Sequence, residues 1–163
     1  MIFVTVGVQL PFDRLVGAVD TWAGTRDRSD VVAQIGASKY VPKHIRCQAT
    51  MTPTEFKRCV TEATAVVAHA GMGSIITALE LGKPILIMPR RAALGEHRND
   101  HQMSTARLMA EQNIVTVAQD EDELVDYLDR IETLGRSAGI SSHAGSQLVG
   151  RISAFIAEVD RRR

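Results

Sequence analysis

The chain has 163 residues, 45% hydrophobic and 23% charged, with 19 basic side chains balancing 19 acidic ones. That describes one ordinary globular domain with a sizeable core. Zero net charge gives no support for a nucleic-acid binder, which leaves a basic footprint, and Cys47 and Cys59 have neither metal-ligand spacing nor a disulfide-rich setting. The opening MIFVTVG lacks the basic stretch and long apolar core of a signal peptide. No apolar run approaches the roughly 20 residues that cross a bilayer. A cytoplasmic protein with reduced thiols is the expectation, and any work at a membrane needs another anchor. The basic PRRAALGEHR and DRRR and the acidic QDEDELVDYLD read as solvated faces, with anionic lipid or an acidic partner as the alternative.

Short β-branched runs alternate with helical patterns. A buried strand is expected at 2–6, then a helix at 12–23 with apolar residues at 12, 15, 16, 19 and 22. Strands follow at 31–36 and, more weakly, at 45–50. Thr52, Pro53 and Glu55 open a helix over 52–63 with a capping box and a first-position proline. A strand at 65–70 leads into a helix at 73–82 that Gly82 and Pro84 end, before a buried strand at 85–89. A helix at 99–112, a strand at 114–118 and an acidic helix at 121–134 complete a core of 1–134. A polar linker at 135–146 and a final helix at 147–160 close a single domain, 1–163. Strands alternating with helices predict right-handed crossovers and a doubly wound, Rossmann-like parallel sheet.

In such sheets ligands sit beyond the carboxyl ends of the strands, and the segment AHAGMGS lies there. Gly71 and Gly73 remove side chains where the backbone turns, and Ser74 adds a hydroxyl near the first helix N–H groups. Together they make a candidate anion seat, with a packing turn as the plain alternative. The spacing is neither that of a Walker loop nor of the dinucleotide fingerprint. His69, directly before the turn, is a candidate donor to that anion. His97 and His101 are four residues apart, but no Glu follows His97 as in H-E-x-x-H, so no metal site is expected. NDHQ, at the start of a helix, suits sugar hydroxyls, and the long polar loop before it invites a functional role. GMGSI is not the G-x-S-x-G hydrolase elbow.

FVTVG…PFDRLV, VVAHAGMGSIITALELGKPILIMPR and GEHRNDHQ together resemble the glycosyltransferase family 28 C-terminal domain, the donor-binding half of a GT-B glycosyltransferase. Within it, the chain resembles the small subunit of two-component bacterial exopolysaccharide transferases and the cytosolic subunit of the eukaryotic dolichol-diphosphate GlcNAc transferase. The resemblance implies that Gly7, His69, Gly71, Met72, Gly73 and Ser74 hold the donor diphosphate. It implies a base contact from Met51 and Thr52, and sugar recognition by Asn99, Asp100, His101 and Gln102. Two departures stand out: Thr77 replaces a ribose-binding Glu, and Val8 replaces a Thr near the diphosphate.

A GT-B enzyme needs two halves, and this chain supplies one. The resemblance therefore implies a membrane-associated, acceptor-binding partner subunit and a polyprenyl-diphosphate-linked acceptor at the cytoplasmic face. The reaction implied is hexosyl transfer from a UDP-sugar, for exopolysaccharide or capsule synthesis, without a metal or other cofactor. Departing UDP is stabilised by the helix end and by His69. The general base belongs to the partner, or to Asp100 or His101. Arg90, Arg91, Glu96, His97 and Arg98 form a loop facing acceptor or partner. A nucleotide-sugar-binding module without turnover, a subunit that only stabilises the membrane partner, and an epimerase are the alternatives. The epimerases of this fold carry both halves in a longer chain.

Overall fold

The computed structural model describes residues 1–135. The expected helix at 147–160 and all but the first residue of the expected linker lie outside them. Six parallel strands form one sheet in the order β3-β2-β1-β4-β5-β6. They are β1 (Ile2–Thr5), β2 (Val31–Gln34), β3 (Arg46–Gln48), β4 (Ala65–His69), β5 (Ile85–Met88) and β6 (Thr116–Val117). β1 lies centrally, with Ile2 opposite Val31 on one side and Ala65 on the other. The doubly wound expectation holds.

Alternation of side chains across a strand divides the core into two layers. Ile2, Val4, Val67 and Leu86 point to one face, where they meet Leu15, Val16 and Val19 of α1 (Asp13–Thr25) and Leu124 and Leu128 of α5 (Glu121–Asp129). Phe3, Val66, Ala68 and Ile87 point to the other. There they pack against Val60 of α2 (Pro53–Glu62), Ile75 and Leu79 of α3 (Met72–Glu80), and Ala106 of α4 (His101–Glu111). Each large aliphatic side chain so buried contributes about 1.5–3 kcal/mol.

The helix ends follow their sequence signals. Thr52 Oγ1 accepts from Glu55 N (3.2 Å) while Glu55 Oε2 accepts from Thr52 N (2.8 Å), with Pro53 at the first position of α2. Gly82, at φ +60°, turns the chain out of α3 as Lys83 N donates to Ala78 O. Asp120 Oδ1 caps α5 through Glu123 N. Most strands are shorter than expected and several helix ends shift by a residue or two, and two helix boundaries differ for a visible local reason. α4 starts at His101, because Asn99 and Asp100 turn the chain ahead of it. The acidic helix stops at Asp129, where Arg130 leaves helical geometry, and Ile131–Thr133 form a separate 3-10 turn.

Asp20, in the middle of α1 and 1% exposed, organises the connection from β2 to β3. Its carboxylate accepts from the backbone N–H groups of Lys43, His44 and Ile45 and from Tyr40 Oη. Burial by itself would raise its pKa, but these donors hold it below the usual carboxylate range. Replacing Asp20 with Ala strands several backbone donors and is expected to cost about 3 kcal/mol, read as a lower urea midpoint with an unchanged slope.

Candidate functional site

The strand order reverses between β1 and β4, and a crevice forms at such a point beyond the carboxyl ends of the strands. A cleft of about 980 Å³ lies there. Gly7–Leu10, after β1, line one side. Met51, Pro53, Phe56 and Lys57, at the start of α2, line a second. Gly73, Thr77, Glu80 and Leu81 line a third with one face of α3, and Arg90, His97, His101 and Gln102 complete it.

The turn at the head of α3 is built around the imidazole of His69. A Cβ on Gly71 would overlap His69 Nε2, and one on Gly7 would sit 2.8 Å from its Cε1. Gly7 is needed twice over, because its φ is +73°. Gly73 differs: nothing lies within 4 Å of the position its Cβ would take, although the residue lines the cleft. Gly71 is the N-cap of α3 and makes no side-chain cap, so the first helix N–H groups have no side-chain acceptor. Ser74 is accordingly the third helical residue and is buried. Met72, the first helical residue, points outward and is exposed.

His69 does not carry a charge here. Burial and then the nearby Arg90 push its pKa down to about 4, against a smaller upward pull from the Thr5 carbonyl. At neutral pH it is a neutral imidazole, so a bond from it to the anion expected from sequence would be a neutral one. Its Nδ1 is buried without a hydrogen-bond partner.

The loop expected to face an acceptor is partly turned inward. Arg90 is 2% exposed. Its Nη2 donates to Val6 O and Leu10 O (2.7 Å each), its Nη1 to Pro11 O and Glu96 O, and its guanidinium stacks 4.7 Å over the Phe12 ring. Glu96 is held by Arg14 through paired bonds of 2.7 and 2.9 Å, and also accepts from Arg91 N. Arg90 and Glu96 thus fasten the loop and are not offered to a partner; their charges are satisfied inside the fold. Arg91 donates to Gln119 O, and Arg98 stays exposed.

At the opposite wall His97 and His101 meet edge to face, ring centres 4.4 Å apart. Asn99 Oδ1 accepts from His101 Nδ1. Asp100 Oδ1 accepts from Ala92 N (2.8 Å), and the buried Gln102 accepts from Arg90 N. Met51 reaches the cleft, whereas Thr52 is committed to its capping box.

Sequence reasoning missed several wall residues. Thr5 Oγ1 donates to Gln34 Oε1 (2.6 Å) and Gln34 Nε2 to Gly7 O, which ties β2 to the loop after β1. Buried polar residues at two strand ends were the signal for that pair. Phe56, Lys57 and Glu80 were visible only as helix positions on a common face.

Two outcomes are expected. Gly71→Ala displaces the His69 ring and destabilises by about 1–3 kcal/mol, whereas Gly73→Ala leaves the melting midpoint unchanged or raises stability by up to about 1 kcal/mol. His69, neutral in the fold, contributes stability that is complete above pH 6.5 and is lost as pH falls towards its folded value of about 4. His97, lowered by burial and then by His101, adds a slope of the same sign. His69→Asn is therefore expected to flatten, without abolishing, the fall in unfolding free energy between those values.

The match to the glycosyltransferase family 28 C-terminal domain runs over residues 1–147. The chain is 31% identical over 115 residues to the UDP-N-acetylglucosamine transferase subunit ALG13 of Mus musculus, covering 64% of this chain and 9% of that protein. It therefore spans only a small part of that relative. The NMR solution structure of ALG13 superposes with a TM-score of 0.60 at 19% identity, covering 87% of this chain and 90% of that one. The calicheamicin glycosyltransferase CalG4 gives a TM-score of 0.60 at 15% identity over 97% of this chain and 43% of its own. At those identities the likeness is one of fold. With a match over nine-tenths of its length, the chain belongs to the glycosyltransferase family 28 C-terminal domain family.

Proposed function

We propose that this chain is the donor-binding subunit of a two-component glycosyltransferase that moves a sugar from a UDP-sugar to a polyprenyl-diphosphate-linked acceptor, in exopolysaccharide or capsule synthesis. The observation that carries the proposal is the uncapped N-terminus of α3, opening beside His69 and the bare Gly73 into the switch-point cleft. A diphosphate fits that arrangement. Backbone N–H groups and the positive end of the helix favour it by roughly 0.3–1 kcal/mol from the dipole alone. The name of the mouse relative, a UDP-N-acetylglucosamine transferase subunit, supports both a UDP-sugar and a subunit role.

In the transfer the acceptor hydroxyl oxygen attacks the anomeric carbon as the bond from that carbon to the diphosphate oxygen breaks. The electron pair leaves with UDP, and the growing charge falls on the α3 N–H groups and His69. Losing one such donor typically costs 10²–10³-fold, about 2.7–4 kcal/mol. Of the four residues expected to read the sugar hydroxyls, His101 and Gln102 line the cleft and take that role, whereas Asn99 and Asp100 lie outside its lining and hold the head of α4 and the loop before it. The acceptor proton passes to a base on the membrane-associated partner, with His101 and Asp100 as the candidates on this chain. The partner provides the attachment at the cytoplasmic face; among the described residues no helix is long and apolar enough to cross a membrane.

Calorimetric titration of the full chain with UDP and ADP tests the proposal. UDP is expected to bind in preference to ADP, His69→Ala to weaken it about tenfold, or 1.4 kcal/mol, and Gly73→Ala to weaken it without loss of stability. Equal binding of both nucleotides removes the uridine preference, and indifference to both substitutions removes the diphosphate seat.

A further inference from the structure

The fold gives the basic segment 90–100 a predominantly positive outer surface. The segment carries three arginines and two acids. Arg90 is buried, Glu96 is clamped by Arg14, and Asp100 turns back to accept from Ala92 N. Arg98 is exposed, and the half-buried Arg91 spends its Nη2 on the neutral Gln119 O. Neither forms an ion pair among the described residues, and the same holds for the exposed Lys39 in the loop after β2.

Between these arginines stands an apolar tip. Leu94 ends the 3-10 turn Ala92–Leu94 and is 56% exposed, with Ala93 exposed beside it. The turn is firmly made: Leu94 N and Glu96 N both donate to Arg91 O, and Gly95 N donates to Ala92 O. A second tip stands on the loop after β1, where Val8 is 77% exposed. Both loops leave the carboxyl edge of the sheet, from strands on either side of β4. Arg90 rivets them together, donating to Leu10 O and Pro11 O of one and to Glu96 O of the other. Single exposed aliphatic side chains are ordinary on a protein surface. Here two of them are held out on neighbouring loops by one buried guanidinium, with cations beside them.

We infer that this edge is a membrane-contact face, on which Val8 and Leu94 enter the headgroup boundary of an anionic bilayer while Arg91, Arg98 and Lys39 meet lipid phosphates. Charge complementarity favours lipid: cations flank the tips, whereas the exposed acids Asp122 and Glu123 of α5 follow β6, at the margin of the sheet. The chain as a whole has no net charge, so the attraction belongs to this edge and not to the molecule at large. The tips also stand on separate loops, with the exposed Gln9 next to Val8. A soft, planar surface accepts such separated points, while a protein partner has to match each one with a pocket. Shallow apolar insertion combined with a few cations gives reversible binding that depends on lipid charge. The same loops border the cleft, so its mouth lies against the headgroup layer when the face is engaged. This contact acts in addition to any attachment through a partner subunit, and it does not depend on nucleotide.

The test is flotation of the full chain, without nucleotide, on vesicles of phosphatidylcholine alone or mixed with phosphatidylglycerol. Wild type is expected to bind the mixed vesicles and to leave pure phosphatidylcholine largely unbound. Leu94→Asp and Arg98→Glu are each expected to lower the partition coefficient about tenfold, with the melting midpoint held. Added salt is expected to weaken wild type more than Arg98→Glu. Leu108→Asp provides the contrast: that leucine, 51% exposed in the second half of α4, is away from the two loops, and its variant is expected to bind as wild type does. The inference is overturned if wild type ignores the anionic vesicles, binds both compositions equally, or loses as much affinity with Leu108→Asp as with Leu94→Asp. Self-association of wild type that Leu94→Asp reverses, with no vesicle binding, assigns the tips to a second copy and overturns it equally. None of these outcomes bears on the UDP titration, so the two readings stand or fall separately.

Discussion

The guanidinium of Arg90 is the point on which the cleft depends. Carbonyls of Val6, Leu10 and Pro11, from the connection between β1 and α1, converge with Glu96 O from its own loop on one buried charge. Burial lowers the pKa of Arg90, with Glu96 pulling the other way, yet a guanidinium remains charged. A planar fork satisfies several carbonyls at fixed angles, which an ammonium on a flexible stem does not. The loop carrying Gly7 is thereby locked against the sheet, and Gly7 in turn admits the ring of His69. Arg14 repeats the device one layer out, joining α1 to Glu96, Glu121 and Pro89 O.

The electrostatics of the site follow from where these charges are spent. Arg90 faces carbonyls, and His69 is neutral, so the attraction for an anion comes mainly from backbone N–H groups and the end of α3. Such donors are fixed in direction before any ligand arrives and need no reorganisation as charge develops. A strongly cationic pocket would hold an anionic product tightly, whereas a seat of aligned amides can stabilise developing charge without doing so.

Local signals made the fold legible in the sequence. The capping box of Thr52 and Glu55, the stop at Gly82 and the short β-branched runs each act over a few residues, and each appears in the structure. The glycine turn and His69 were legible as a site for the same reason. The arginines were not: whether Arg90 faces solvent or the interior depends on carbonyls about eighty residues away in sequence. Charge state was equally hidden, because burial of His69 is a property of the packed sheet. Glu80 was legible only as a helix position, because its place in the cleft wall is set by how α3 packs on the sheet.

The nesting of His69 between two glycines also constrains how this site can change through descent. The imidazole fills the volume that two β-carbons would need, so Gly7, His69 and Gly71 behave as one inherited unit. A larger residue at Gly71 is tolerated only after the ring has gone, and once it has arrived the ring has no way back. Lineages that give up the histidine are thus expected to lose the pair of glycines soon after, Gly71 first, since Gly7 is still held by its positive φ. The order in which these three positions drift would record which descendants abandoned the chemistry and kept only the scaffold.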